Sequence, residues 1–303
     1  MPELPEISAY LRAFEDRIVG RALQRVRLRS PSFLRTFDPP LSSVEGRVVG
    51  GVRRLGKRVV WALEGDLFVV VHLMVTGRFH RRAPGVALPK KHAHAAFDFD
   101  DATYLVTERG KQKKASLHVV AGEAGLADHD RGGVEPLTAT LEEFVTAVTS
   151  ENRTLKRALT DPRILSGIGN AHSDEILHAA GLSPVQRTRN LTPEQLSRLR
   201  DATVTNLDEW TRRLADEIGD RFPEKITAFH PAMAVHGRYG EPCPVCGDPI
   251  QRIVYASRET NYCATCQTEG RVLADRAISR LLREDWPRTL EELEEHRESR
   301  RRP

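Results

Sequence analysis

What this chain lacks narrows its class before any motif does. No apolar run is long enough to cross a bilayer: the longest, residues 67–75, is interrupted by His72 and falls far short of the roughly 20 residues a spanning helix needs. The N-terminus carries acidic residues where a signal peptide has a basic region, and no apolar core follows them. Neither charge dominates, with 46 Lys and Arg against 42 Asp and Glu. A net charge of +4 and a pI near 9.0 therefore point to a polyanionic partner only where basic side chains cluster. Cysteine is scarce, four in 303 residues, and all four fall in two close pairs with none left over for a disulfide. The expectation is a soluble intracellular protein, cytoplasmic and nucleoid-associated in a bacterium, long enough for about two domains with real cores.

The N-terminal stretch Met1-Pro2-Glu3-Leu4-Pro5-Glu6 carries the first chemical signal. Removal of Met1 ahead of a small residue is expected, and it leaves Pro2 with a free secondary amine. Terminal amines titrate at about 7.7 to 8, so a usable share is unprotonated near neutrality. Such a nitrogen attacks electrophilic carbon and forms an iminium. Glu3 and Glu6 stand close enough in sequence to move protons or to hold the ammonium. The same six residues would equally make an ordinary helix start, with Pro5 in the first turn and Glu6 at the positive end. Ile7, Tyr10, Leu11, Phe14 and Ile18 then recur at helical spacing up to Gly20.

From Ala22 the pattern changes to short β-rich runs over residues 26–28, 47–52, 58–63, 67–75, 95–99, 103–106 and 116–120, separated by turn signals such as Glu64-Gly65-Asp66. Residues 122–136, rich in Gly, Asp and Glu, read as a linker. Helical spacing follows at Leu141, Phe144, Val145 and Val148, and again at Leu155, Ala158 and Leu159. Thr192-Pro193-Glu194-Gln195 is a capping box that opens a long helix ending at Gly219. Between these helices, Gly167-Ile168-Gly169-Asn170 either presents a helix N-terminus to a phosphate or simply connects two helices tightly.

Cys243-Pro-Val-Cys246 and Cys263-Ala-Thr-Cys266 have the spacing of a four-cysteine zinc site. Four thiolates leave no open position, so a single zinc here is structural. It supplies folding energy that some thirty residues cannot find in a core of their own. Residues 250–255 and 259–262 would form the ribbon's hairpin. Arg258, near its turn, is either a bidentate phosphate clamp or a solvated side chain.

Terminal Pro-Glu-Leu-Pro-Glu, a β-sandwich, Gly-Ile-Gly-Asn and a four-cysteine ribbon occur here in one order, and together they resemble the formamidopyrimidine-DNA glycosylase and endonuclease VIII family. The resemblance covers residues 1–266. It implies an α+β multidomain protein: an N-terminal helix plus antiparallel β-sandwich (1–125), a linker (126–136), a helix-two-turns-helix DNA-binding domain (137–235), a zinc ribbon (236–268) and a helical extension (269–303). It also implies a bifunctional DNA repair glycosylase and abasic-site lyase, a monomer on double-stranded DNA carrying a damaged, oxidised or missing base, without a membrane. In that reading Pro2 attacks C1′, Glu3 protonates the sugar ring oxygen or departing base, and Glu6 supports the site. Lys57 matches a hairpin lysine that contacts phosphate and transfers protons during elimination. Arg258 matches a ribbon arginine that grips phosphates beside the lesion. Lys156 and Asn170 match phosphate contacts, and His92 of Lys91-His92-Ala93-His94 matches a histidine that touches DNA. Two rivals remain: a catalytically silent binder of damaged DNA on the same fold, and a zinc-ribbon protein of transcription or RNA handling.

The chain also departs from the family pattern. His-Leu-Gly-Met, whose methionine fills the hole left by an everted base, is replaced by His72-Leu73-Met74-Val75. If this stretch is a strand, Met74 and Val75 face opposite sides and Met74 cannot substitute for the wedge. Asp-Pro-Arg-Arg-Phe-Gly, a second wedge, is replaced by Thr107-Glu108-Arg109-Gly110-Lys111-Gln112-Lys113-Lys114. Arg109 keeps an arginine, and no phenylalanine is present. In the extension, Leu273, Ile278, Leu281 and Leu282 recur at helical spacing, a cap is expected at Thr289 to Glu292, and Arg300, Arg301 and Arg302 end the chain. The departures leave the choice of lesion open.

Overall fold

A computed structural model describes residues 1–255, 258–274 and 286–299 of the chain. Its contacts divide into two compact units that do not follow the sequence linearly. One comprises residues 1–133 and 207–228, the other 134–206 and 229–303. The switch at Leu207 falls inside a single long helix.

The first unit opens with helix α1 (Leu4–Ile18), which buries Ile7, Tyr10, Phe14 and Ile18 at 3.6-residue spacing. That face lies in a core between two antiparallel sheets. The five-stranded sheet runs β1 (Ala22–Leu23), β3 (Arg47–Leu55), β4 (Arg58–Leu63), β5 (Leu67–His72) and β9 (Ser116–Ala121). The four-stranded sheet runs β2 (Arg25–Leu28), β7 (Ala93–Asp98), β8 (Thr103–Glu108) and β6 (Gly77–Arg82). Phe14 is the hub, its ring edge-on to Trp61 at 5.0 Å, Phe79 at 5.0 Å and Tyr104 at 5.3 Å. Leu214, Ile218, Phe222 and Ile226 pack on the same core, which explains why residues 207–228 belong with this unit.

Three details differ from the sequence pattern. The apolar run at 67–75 is not one strand: β5 stops at His72, and residues 74–76 form a turn. Met74 has φ 54°, a left-handed conformation that suits glycine. Gly77 closes the turn with its N–H on the Leu73 carbonyl at 2.9 Å, so near that a Cβ would lie 2.1 Å from that oxygen. Second, residues 77–82 form a strand that periodicity missed. Third, the linker reading begins too early, because Gly122–Ala127 form a short helix, α2. Its Leu126 is buried with Val60, Phe68, Val70 and Val120 on the outer face of the five-stranded sheet.

In the second unit, α3 (Leu141–Thr149) and α4 (Leu155–Thr160) precede α5 (Asn170–Ala179). Then comes α6 (Pro193–Ile218), whose Thr192 and Gln195 exchange capping hydrogen bonds as expected. Strands β10 (Gln251–Tyr255) and β11 (Arg258–Tyr262) form the ribbon hairpin. In the extension, Glu292 N–H donates to Thr289 Oγ1 at 3.2 Å and caps a helix over Leu290–Ser299. Ile278, Leu281, Leu282 and Arg300 to Arg302 lie outside the described residues. Among the described residues no helix is long and apolar enough to cross a membrane.

Candidate active site

The N-terminus leads directly into helix α1. Glu3 is the N-cap of α1, and its backbone N–H donates to Glu6 Oε2 at 2.7 Å. Pro2 is buried, and Glu3 and Glu6 are 2% and 1% exposed, so two buried carboxylates act on the terminal amine. That amine belongs to Met1, one residue ahead of the Pro2 nitrogen that removal of Met1 would free. It titrates below its ordinary value of 8.0: burial pushes it down, Glu3 pulls it up, Arg78 pushes it down, Glu6 pulls it up and Lys57 pushes it down. A buried amine beside two cations favours the neutral, nucleophilic form.

Register explains why these groups meet. Lys57 sits at the tip of the β3–β4 hairpin, where Gly56 takes φ 60° and Arg54 holds the Gly56 carbonyl at 2.7 Å. Arg58 pairs with His72, and His72 with Ser116. Gly77 pairs with Glu108, and Ala93 with Thr107. The hairpin tip, the 73–77 turn and residues 90–92 and 109–115 thus leave the sandwich at one end. Arg78, absent from the sequence reading, belongs here: Nη1 donates to the carbonyls of Gly77 at 2.6 Å and Val75 at 3.3 Å. No periodic signal marks it, because only Phe79 of the Gly-Arg-Phe-His-Arg-Arg strand is a buried apolar side chain.

The two histidines of the Lys-His-Ala-His stretch divide. His92 is exposed, with φ 67° and Nδ1 3.5 Å from Lys113 Nζ. His94 is 3% exposed, stacks on Phe33 at 4.9 Å, and bonds Glu108 through Nε2 at 2.9 Å. Arg109 is exposed. Val75, which takes the place of the wedge methionine, is 55% exposed. It stands on a turn and not on a strand, so the alternation expected of a strand does not govern it and it can reach outward.

In the second unit Gly169 is the N-cap of α5, and Asn170 Nδ2 donates to the Glu259 carbonyl at 2.8 Å, fixing this helix start to β11. Lys156, expected at a phosphate, is engaged by the protein itself. Its Nζ is 2.6 Å from both the Asn170 carbonyl and Asp174 Oδ1, and the residue is 9% exposed. Asp174 also holds His236 Nδ1 at 2.8 Å. Glu175 receives the N–H groups of Ala234, Val235 and His236 at 2.7, 2.9 and 2.9 Å. Lys156 thus neutralises a buried carboxylate. Arg258 begins β11 opposite Tyr255, and its side chain lies outside the described residues.

The sulfurs of Cys243, Cys246, Cys263 and Cys266 all lie within 4.8 Å of one another. A tetrahedral zinc with bonds of about 2.3 Å requires sulfurs about 3.8 Å apart, and the Cys243–Cys266 and Cys246–Cys263 separations of 3.9 and 3.4 Å fit it. His178 of α5 adds an Nε2 contact to Cys243 Sγ at 3.3 Å.

Three family models match the chain in succession. They are the formamidopyrimidine-DNA glycosylase N-terminal domain over residues 1–112, its H2TH domain over 133–218, and a zinc finger found in FPG and IleRS over 240–268. A formamidopyrimidine-DNA glycosylase of Thermus thermophilus is 33% identical over 287 residues, 89% of this chain and 100% of that protein. Another, from Geobacillus kaustophilus, is 31% identical over 280 residues, 88% of this chain and 100% of that protein. Among solved structures, the wild-type Lactococcus lactis Fpg bound to an N7-benzyl-Fapy-dG DNA aligns with a TM-score of 0.77 at 25% identity, over 88% of this chain and 100% of that one. The same bacterium's Fpg on an abasic-site DNA aligns with a TM-score of 0.76 at 25% identity, over 88% and 99%.

Proposed function

Because this chain belongs to the formamidopyrimidine-DNA glycosylase family, we propose that it excises damaged bases from DNA and cuts the resulting abasic strand through an N-terminal proline. After loss of Met1, the Pro2 nitrogen attacks C1′ of an everted nucleotide. The glycosidic bond breaks as the base leaves and the C1′–O4′ bond then breaks to open the ring; of the base and the ring oxygen, Glu3 protonates one and the proton released from the Pro2 nitrogen goes to the other. The product is an iminium between Pro2 and the opened sugar. Loss of a C2′ proton then expels the 3′ phosphate, and a second elimination on the 5′ side completes the excision. Glu6 fixes the Glu3 backbone, and Lys57 contacts phosphate and moves protons in the elimination. Arg258 holds flanking phosphates, and His92, Arg109 and Asn170 lie along the bound DNA. Extrusion of the base costs a few kcal/mol, which these contacts offset. One zinc, held by the four cysteines, braces the ribbon.

The observation that carries this reading is the buried Pro2 beside the buried carboxylates of Glu3 and Glu6, at a terminus whose Met1 amine burial holds below its ordinary pKa and on which Arg78 and Lys57 also act. We place the protein in the cytoplasm, on the nucleoid of a bacterium, as a monomer. In sequence order we assign domains to 1–125, 137–235, 236–268 and 269–303 around a linker at 126–136, although residues 126–127 close helix α2 and residues 207–228 pack with the first unit. Borohydride added to the mature protein with abasic-site duplex should yield a covalent conjugate, and Pro2→Gly or a retained Met1 should prevent it. Tight binding without any conjugate would leave only a silent binder of damaged DNA.

A further inference from the structure

The end of the first unit that carries the N-terminus also carries a loop to which the proposed chemistry gives almost no work. Residues 109–114 read Arg-Gly-Lys-Gln-Lys-Lys, and Arg109, Lys111, Gln112, Lys113 and Lys114 are all exposed. A segment that probes or replaces a base pushes a large apolar side chain into the stack. This loop has none. Its four cations match phosphate oxygens instead. Exposed Lys90, Lys91 and His92 leave the neighbouring strand at the same end, because Ala93 pairs with Thr107.

An ordinary lysine run is a solvated, mobile face, whereas this one is fastened. Glu108 is 1% exposed, and its carboxylate accepts the N–H of Lys114 at 3.0 Å and of Ala115 at 3.2 Å, besides His94 Nε2 at 2.9 Å. The Glu108 N–H donates to the His92 carbonyl at 2.8 Å, and Lys113 Nζ donates to the Glu108 carbonyl. Gly110 N–H reaches Thr76 Oγ1 at 3.0 Å, an approach so close that a Cβ on Gly110 would lie 2.7 Å from that oxygen. A buried carboxylate is tolerated only when donors surround it. Here the backbone N–H groups of Lys114 and Ala115, at the loop's end, join His94 around it, so burying Glu108 and folding the loop back onto the sheet end are coupled.

We infer that residues 109–114, latched by Glu108 to the end of the four-stranded sheet, grip damaged DNA by its phosphates and do not read the base across from the lesion. The inference rests on the glycosylase reading for the identity of the polyanion, and it adds a substrate property: lesions are accepted whatever base they face. Base readout by a side chain discriminates by roughly tenfold or more, while phosphate contacts act alike on every sequence.

The test measures equilibrium binding of the full-length protein to abasic-site duplexes carrying each of the four opposite bases, across a range of salt. Wild-type affinities should agree within about threefold, well inside the range of base readout. The triple variant K111A/K113A/K114A should weaken all four alike. Its salt dependence should fall by about 0.9 per lost phosphate contact, about 2 to 3 in all. A wild-type preference of about tenfold for one opposite base overturns the inference, and so does an unchanged salt slope in the triple variant. Glu108→Gln should lose slope in the same direction. Because K113A also removes the Lys113 bond to the Glu108 carbonyl, the double variant K111A/K114A, which keeps that bond, should by itself lose about 2 of slope, and this decides the matter whether or not Glu108→Gln folds. Borohydride capture run in parallel separates the two readings. No wild-type conjugate refutes the Pro2 chemistry, whereas an unchanged slope with the conjugate intact refutes the loop's role.

Discussion

Lys156 Nζ lies 2.6 Å from Asp174 Oδ1, with 11% and 0% of the two side chains exposed. A lysine that neutralises a buried carboxylate behaves differently from one that touches DNA. Removing one partner of a buried pair costs about 3–5 kcal/mol, because the other charge is left in a poor solvent. His236 Nδ1, 2.8 Å from Asp174 Oδ2, offsets part of that loss. Lys156→Met should therefore lower unfolding stability by about 2–4 kcal/mol and leave the salt dependence of DNA binding unchanged. Unaltered stability with a slope reduced by about 0.9 would restore the phosphate contact.

His72 accepts the Met74 N–H on Nδ1 at 3.0 Å, a bond that needs an unprotonated nitrogen. Burial, with Arg58 and Lys57 adding to it, pushes this ring down to about 3, and burial with His129 beside it pushes His118 down to about 4. In the unfolded chain both titrate near 6.5. Between these values the unfolded state binds more protons, so stability rises with pH in that window. It is complete above about 6.5 and is lost as pH falls toward about 3 to 4. Urea midpoints should drop as the buffer is acidified through this window. His72→Asn, whose Oδ1 can accept the same N–H without titrating, should flatten the decline. An equally steep acid limb in that variant would remove His72 as its cause.

The contact from His178 to Cys243 bears on metal retention separately from catalysis. A donor that orients a metal ligand and moderates its charge typically matters by 10–100-fold in metal affinity. His178→Phe should keep one zinc per chain and release it about tenfold more readily to a chelator. Cys246→Ser should lower the bound zinc itself, because thiolates are the ligands that a four-sulfur site selects. Full zinc content in Cys246→Ser would refute the four-cysteine site.

The parts of this architecture that were legible in the sequence depend on local spacing. The cysteine pairs, the Thr192 capping box and the apolar stripe from Ile7 to Ile18 each satisfy their own chemistry within a few residues. The parts that were not legible depend on distant groups. Apolar Leu73 and Val75 extended the strand pattern past His72, and only the left-handed Met74 and the close approach of Gly77 to Leu73 reveal a turn. β6 hid because its outward positions are Arg and His, with Phe79 its sole large inward group. Residues 207–228 join the first unit because Leu214 and Phe222 find partners some 200 positions earlier, among Tyr10 and Phe14. The Lys156–Asp174 pair was not legible because nothing in the neighbourhood of Lys156 announces Asp174.

Arg78 supplies the remaining prediction, because its charge and its hydrogen bonds are separable. An ammonium next to a fixed cation is disfavoured, and after burial Arg78 is the larger of the two cationic influences that depress the Met1 amine, one residue ahead of the Pro2 nitrogen. Removing it is expected to raise the pKa of the Pro2 amine that takes this place once Met1 is lost, so the neutral form needed for attack appears only at higher pH. Arg78→Met should shift the acid limb of the conjugate-formation rate upward, with the rate recovering at alkaline pH once the amine is deprotonated. Arg78→Lys retains the charge but lacks the fork that holds the Gly77 and Val75 carbonyls. Its limb should therefore stay near that of the wild type even if the turn loosens and substrate affinity falls. Coincident limbs for Arg78→Met and wild type would mean that burial alone sets the amine's protonation, and Arg78 would then serve only to brace the turn.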